Sequence, residues 1–186
     1  IINGDDNLFE KISNTYGLKY HNRKSELSSS SAKSDDVVYN FLELFDSDYI
    51  VWFNAIAPLQ SKDDIKGFVN TLLEKDIDSL FSIKSETIQS LYKNKPLNFS
   101  TIEKFSKTQD LPPIKLFVPS MMGWKSETFK EKYLESKCGF FSGNVGYYET
   151  KSKLSTLVVK SEDDFRLIRS VVEGISSYNN EIEYYK

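Results

Sequence analysis

Cysteine and histidine are nearly missing from this chain, which has one of each, Cys138 and His21. A lone cysteine closes no intramolecular disulfide and builds no cysteine-based zinc site. It is compatible with a reducing compartment, so a cytoplasmic location is the expectation. A lone histidine with no acid patterned beside it makes no proton relay, and His21 reads as a strand-edge residue. Long apolar runs are missing too. None approaches the about 20 residues that cross a bilayer, and no signal-peptide pattern is present, so no membrane partner is expected. Charge of one sign is not in excess: 24 Lys and Arg face 27 Asp and Glu, for a net charge of −3. With no basic stripe, nucleic acid is not an expected partner. No internal repeat is visible.

What remains is an ordinary globular composition, with 39% hydrophobic and 27% charged residues over 186 positions. A chain of that length buries roughly 70% of the surface its unfolded form exposes. One domain is expected over 1–175, followed by a polar, tyrosine-rich tail over 176–186. Residue 1 is Ile, so the chain is expected to be trimmed or cut from a longer one.

The apolar spacing predicts strands alternating with helices. Ile1-Ile2 ends a strand, Asn3-Gly4 turns, and Asp5 caps a helix with Leu8, Phe9, Ile12 and Tyr16 on one face. A short strand is expected over 18–22. The four serines Ser28 to Ser31 mark an exposed loop, with phosphate binding as the other use of such a run. Asp35 and Asp36 suit the positive end of a helix buried through Val37, Val38, Phe41, Leu42 and Phe45. The unbroken apolar run Tyr49 to Phe53 predicts a strand covered on both faces. After the loop 54–60, Ser61 and Asp64 start a helix carrying Ile65, Phe68, Val69, Leu72 and Leu73. A strand returns over 79–83.

Further on, 84–110 is polar and mixed, suited to a hairpin or a partner-contacting arm. Two strands are expected at 114–118 and 121–124, and a helix capped by Ser126 with Phe129 and Tyr133 inward. Strands at 146–148 and 156–159 come next. A last helix, capped by Ser161 and Asp164, carries Phe165, Ile168, Val171, Val172 and Ile175. Trp52 and Trp124 are expected in the core. Strand–helix alternation with short connections predicts an α/β fold with a mostly parallel sheet and helices on both faces. Ligands in such sheets sit beyond the carboxyl ends of the strands, which singles out the loops 3–5 and 54–60.

Several segments, in order, resemble the acylneuraminate cytidylyltransferase family, enzymes that activate sialic-acid-like sugars with CTP. Asn3-Gly4-Asp5 sits where that family has Ser-Thr-Asp, and Arg23-Lys24-Ser25-Glu26-Leu27 resembles its Arg-Pro-x-Glu-Leu. The run Asn54 to Gln60 occupies the place of Gln-Pro-Thr-Ser-Pro-Leu-Arg, followed by Asp63-Asp64-Ile65. Gln109-Asp110-Leu111-Pro112-Pro113 is similar to Gln-Asp-Leu-Pro-Pro, and Ser161 to Phe165 to Ser-Glu-Glu-Asp-Phe. The resemblance implies a nucleotide-diphospho-sugar-transferase-like fold and a homodimer whose small arm is 84–110. It also implies CTP and an acidic sugar as partners, Mg²⁺ as cofactor, and substrate-binding places for Arg23, Asn54 and Gln109; Lys160 joins that substrate-binding set as a fixed positive charge where the metal's would sit.

The departures bear on chemistry. Releasing pyrophosphate from a triphosphate calls for a cation that neutralises the phosphates while they are held in line. The family's Asp-x-Asp positions fall on Val158 and Lys160 here. Valine ligates nothing, and an ammonium repels a metal, so no metal ligand is assigned and no catalytic residue is named. Gln60 replaces an arginine, and the family's glycine- and lysine-rich first loop has no counterpart. Alternatives stay open at several residues. Arg23 contacts ligand or makes a surface ion pair, Asn54 reads a cytosine edge or caps a strand end, and Lys160 holds an anion or is a solvated lysine. Glu162, Asp163 and Asp164 read as helix-start charges, and Cys138 as filler. The expected function is a cytidylyltransferase-family protein with incomplete catalytic equipment. The alternative is a non-catalytic nucleotide- or sugar-binding or dimerisation module of the same fold.

Overall fold

The computed structural model describes residues 1–177, so the tail expected over 176–186 falls almost wholly outside the described residues. The elements run β1 (Ile2–Gly4), α1 (Asn7–Thr15), β2 (Tyr20–Asn22), α2 (Ser34–Leu44), β3 (Tyr49–Phe53), α3 (Lys62–Glu74), β4 (Ser79–Glu86), β5 (Leu91–Tyr92), β6 (Lys95–Pro96), β7 (Ile114–Lys125), α4 (Ser126–Ser136), β8 (Val145–Glu149) and α5 (Glu162–Ser177). The chain forms two compact units. The first holds Ile1–Ile50 and Trp124–Asn144, the second Val51–Gly123 and the chain from Val145 on.

In the first unit β1 and β2 lie parallel, with Ile2 opposite Tyr20 and Gly4 opposite Asn22. Asp6 rather than Asp5 caps α1: its Oδ1 accepts from the Leu8 N–H at 2.7 Å. Both acids satisfy the sequence rule, and only backbone geometry chooses between them. Leu8 and Tyr16 are exposed, against the face expected for them. Ser13 is the buried residue of α1, and Phe9, though also exposed, lays its ring against Gly4 so closely that a Cβ there would meet it at 2.6 Å. Helix α2 buries Val37, Val38 and Leu42 as its spacing predicts. Its first-turn acids do more than face a dipole: Asp36 accepts from the Tyr133 hydroxyl at 2.6 Å, and Asp35 from the Phe140 N–H at 2.9 Å. Trp124 and Phe129 complete this core, fully buried. Ser126 does not cap α4. It is the first helical residue, after Lys125, and its buried hydroxyl has no partner in the described structure.

The strands form separate ladders rather than one sheet, with β1–β2 one and β3–β7–β4–β8 another. Strands of three residues, as β1 and β2 are, offer few hydrogen bonds. In the larger ladder β4 and β8 are parallel, with Ser79 opposite Val145 and Ile83 opposite Glu149. The two strands expected within 114–124 are one strand of 12 residues. Pro119 lies inside it, although a proline has no N–H to give to a ladder. β3 is only half-buried, and Phe53 is exposed, so its apolar run does not report cover on both faces. Trp52, expected in the core, is likewise only half-buried.

The second unit packs Phe68 and Leu72 of α3 with Leu80, Phe81, Met121 and Tyr148, all buried. β5 and β6 make a tight antiparallel hairpin turned by Lys93 and Asn94, both at positive φ, as a two-residue turn of this kind requires. The strand expected at 156–159 is absent. Leu154–Thr156 is a 3-10 turn, and the chain beyond it is an extended loop tied by one bond from the Val159 N–H to Ile56 O at 2.8 Å. β-branched residues in a row fit a pleated surface but do not supply a neighbouring strand. Of the stripe expected on α5, Ile168 alone is buried, while Phe165, Val172 and Ile175 are exposed.

Candidate functional site

In the first unit a cleft of about 490 Å³ is lined by Asp5, Arg23, Lys24 and the serines Ser25, Ser28 and Ser29, beside Asn22. The carboxyl end of β2 delivers Arg23 there, and the Arg23 N–H bonds back to Gly4 O at 2.7 Å. Its Nε donates to Ser28 Oγ at 3.0 Å, and its Nη2 lies 3.8 Å from Asp5 Oδ1. So the serine run and Arg23 share one cleft. An ion pair this long and this open contributes little to stability, which leaves the guanidinium available to an anion. Next to it, His21 Nδ1 lies 3.1 Å from Asn3 Oδ1. Burial, and then the Arg23 charge, hold its pKa below the usual histidine value.

In the second unit the loop 54–60 is closed on itself. The Asn54 N–H donates to Ser120 O at 2.9 Å, and Asn54 Oδ1 accepts from the Ile56 N–H at 3.3 Å. Gln60 Nε2 donates to Asn54 O at 3.3 Å and Ala57 O at 3.1 Å. Where the resemblance expects an arginine for substrate, this glutamine clasps its own loop. Beneath it lies Asp64, fully buried. Its carboxylate accepts from the N–H groups of Lys151 at 2.8 Å and Ser152 at 3.1 Å. It also accepts from the hydroxyls of Ser61 at 2.9 Å, Ser155 at 2.7 Å and Tyr148 at 3.3 Å. Burial pushes the Asp64 pKa up, but the bonds from Lys151, Ser155, Ser61 and Ser152 outweigh it and hold the carboxyl below its ordinary value. Asp64 thereby fixes the start of α3 and the chain over 151–155.

That chain runs into a second cleft, of about 300 Å³, whose wall includes Lys84, Phe117, Thr156, Val158, Lys160 and Asp164. Lys160, singled out from sequence, is one of its lining residues. Asp164 is the reciprocal cap expected of it: Oδ2 accepts from the Lys160 N–H at 3.0 Å and the Ser161 N–H at 2.9 Å, while its own N–H donates to Ser161 Oγ at 3.2 Å. The four residues proposed from sequence divide between the two units. Arg23 lines the first cleft and Lys160 the second, Asn54 closes a loop, and Gln109 lies exposed in a 3-10 turn, lining neither. Lys84 was missed. The available signal was its place near the carboxyl end of a buried strand.

Mg²⁺ takes one or two carboxylates together with phosphate and water oxygens in octahedral array. Val158 and Lys160 supply none, and among the described residues no three His, Cys, Asp or Glu side chains are grouped to hold an ion. No described helix is long and apolar enough to cross a membrane.

Parallel β-strands linked through helices, with clefts at their carboxyl ends, make this an α/β protein. The solved structures it matches bear this out. A 4-diphosphocytidyl-2C-methyl-D-erythritol synthase from Anaerococcus prevotii superposes with a TM-score of 0.62 over 91% of this chain and 77% of that one, at 12% identity. A CMP:2-keto-3-deoxy-manno-octonic acid synthetase, solved with CTP, gives 0.63 over 93% and 80%, at 10% identity. At such identity the likeness is one of fold. In sequence, the chain is 28% identical over 171 residues to the N-acylneuraminate cytidylyltransferase of Streptococcus agalactiae serotype III, covering 88% of this chain. It spans about 40% of the length of the curated relatives it matches. No protein-family model matches the chain.

Proposed function

We propose that this chain is a cytidylyltransferase-type domain that binds a cytidine nucleotide and an acidic sugar. The observation that carries this is the similarity to an N-acylneuraminate cytidylyltransferase, which runs through 88% of the chain. The first cleft supports it, with the Arg23 and Lys24 charges and a fringe of serine hydroxyls suited to phosphate oxygens. CTP as ligand goes with a cytoplasmic location. The exposed apolar side chains of 88–105, among them Leu91, Tyr92, Ile102 and Phe105, support the arm of a homodimer.

Val158 and Lys160 favour a second reading, in which the domain binds its ligands without transferring CMP. Transfer has a sugar hydroxyl attack the α-phosphorus as pyrophosphate leaves, and these two residues cannot steady a metal for that departure. Calorimetry with CTP, with and without Mg²⁺, alongside a pyrophosphate-release assay, tests both. CTP binding without pyrophosphate is the outcome for a binding domain, and metal-dependent turnover removes that reading. No heat at about 1 mM CTP under either condition sinks the nucleotide assignment altogether.

A further inference from the structure

We infer that the second cleft is a metal-independent site for a single oxyanion on a sugar-sized ligand, gripped between Lys84 and Lys160. This deepens the proposed function at one of its clefts and rests on that reading for nothing but the kind of fold.

Two lysines, Lys84 and Lys160, line a cleft of about 300 Å³. They come from far-apart stretches of chain, Lys84 from β4 and Lys160 from the loop before α5, so their convergence is a property of the fold rather than of a basic run. Each faces one acid. Lys84 Nζ is paired with Glu86 at 3.0 Å, and both are partly exposed. Such a pair is weak, so an entering anion can share the lysine. Asp164 is held otherwise: its Oδ2 accepts from the Lys160 and Ser161 N–H groups and from Ser161 Oγ. The hydroxyl, then the N–H groups and the Lys160 charge, lower its pKa. It is therefore ionised, with Oδ2 bound into the cap. The two lysines stand against Glu86 and Asp164, so an entering oxyanion takes the place of Glu86 at Lys84; that exchange suits one carboxylate or one phosphate, and does not suit a triphosphate.

The cleft also has an apolar wall. Phe117 is 54% exposed, although its ring is braced by Phe81 at 5.6 Å and Tyr147 at 5.7 Å between centroids. A braced, partly exposed aromatic ring in the same lining as two lysines fits the C–H face of a sugar whose acid group reaches the lysines. The two lysines supply positive charge that a cation would otherwise bring, and Val158 supplies no ligand for one.

The test is an NMR titration of the ¹⁵N-labelled chain in EDTA. The carboxylate probe is N-acetylneuraminate, the phosphate probe glucose 1-phosphate, and the neutral control N-acetylmannosamine. One or both anions should shift the amides of Thr156–Lys160 and Phe117–Val118, and the neutral sugar should not. Which anion binds more tightly identifies the source of the oxyanion. Replacing EDTA by Mg²⁺ should leave the affinity within twofold. The double variant K84Q/K160Q should bind at least tenfold more weakly, and K84R/K160R should keep most of the affinity, with circular dichroism confirming that each is folded. Binding that appears only with Mg²⁺, equal binding of the neutral sugar, unchanged affinity in K84Q/K160Q, or no binding of either anion overturns the inference. CTP binding that survives those failures leaves the nucleotide reading standing. Acid binding without CTP binding does the reverse.

Discussion

Ser155 Oγ donates to Asp64 Oδ2 at 2.7 Å, joining residues 91 positions apart in a pocket closed to solvent. Among the described residues, no lysine or arginine side chain bonds to or pairs with this carboxylate. Its charge is met by two backbone N–H groups and three hydroxyls. Removing it orphans those donors, and an unsatisfied buried donor costs about 1–3 kcal/mol. Asp64→Ala should therefore cost at least about 3 kcal/mol in urea unfolding. A loss below about 1 kcal/mol would show that the loop over 151–155 stands without it.

The same carboxylate should mark the acid limb of stability. Its folded pKa is below its unfolded value, near 3.9. The stability it supplies is complete above that unfolded value and is lost as pH falls through the lower folded one. The melting temperature of the parent should accordingly fall more steeply below about pH 4 than that of Asp64→Asn. Parallel curves for the two proteins would remove Asp64 from the acid transition.

The start of α3 was legible in Ser61 and Asp64, because a cap is a local pattern and both residues lie within one turn. What Asp64 does beyond that was not. Tyr148, Lys151, Ser152 and Ser155 are 84 to 91 positions away, and no spacing rule reaches so far. The buried stripe of α2 was legible for the same local reason, while the bond from Tyr133 to Asp36 was not. Val158 and Val159 misled because their side chains suit a strand, and the missing ingredient was a partner edge. Lys160 could be singled out against a family pattern. Lys84 had only its place near the end of a strand to mark it, and nothing nearby in sequence pairs it with residue 160. The likeness to cytidylyltransferases rested on the order of several short segments, and order survives divergence better than any single residue does.

Tyr133 should govern the alkaline limb in the first unit. Its hydroxyl donates to Asp36 Oδ1 at 2.6 Å, and that bond, then burial, push its pKa up to about 12. A raised folded pKa in an acid means that the stabilisation holds below the unfolded value of about 10 and disappears as pH climbs to the folded one. Tyr133→Phe should lose about 1–2 kcal/mol at neutral pH and show a flatter decline above about pH 10. In an ultraviolet titration of the parent, one tyrosine should ionise near pH 12 and be missing from the variant. If all tyrosines ionise together near their ordinary value, the bond is not maintained in solution.

Gly67 offers a test with an unusual sign. In the interior of an exposed helix, replacing glycine by alanine stabilises by about 1 kcal/mol. On α3 the added Cβ would collide with the Tyr148 hydroxyl, the same group that reaches Asp64 at 3.3 Å. Gly67→Ala should therefore destabilise, by roughly 1–3 kcal/mol, as overpacking does. Tyr148→Phe removes the atom that is struck, at the loss of one hydrogen bond to Asp64. The double variant should then be more stable than the sum of the two single losses allows, by more than about 0.5 kcal/mol in a double-mutant cycle. Additive losses would mean that the ring gives way and the hydroxyl is not pinned between helix and carboxylate. A stabilised Gly67→Ala would mean that Tyr148 is not packed there at all.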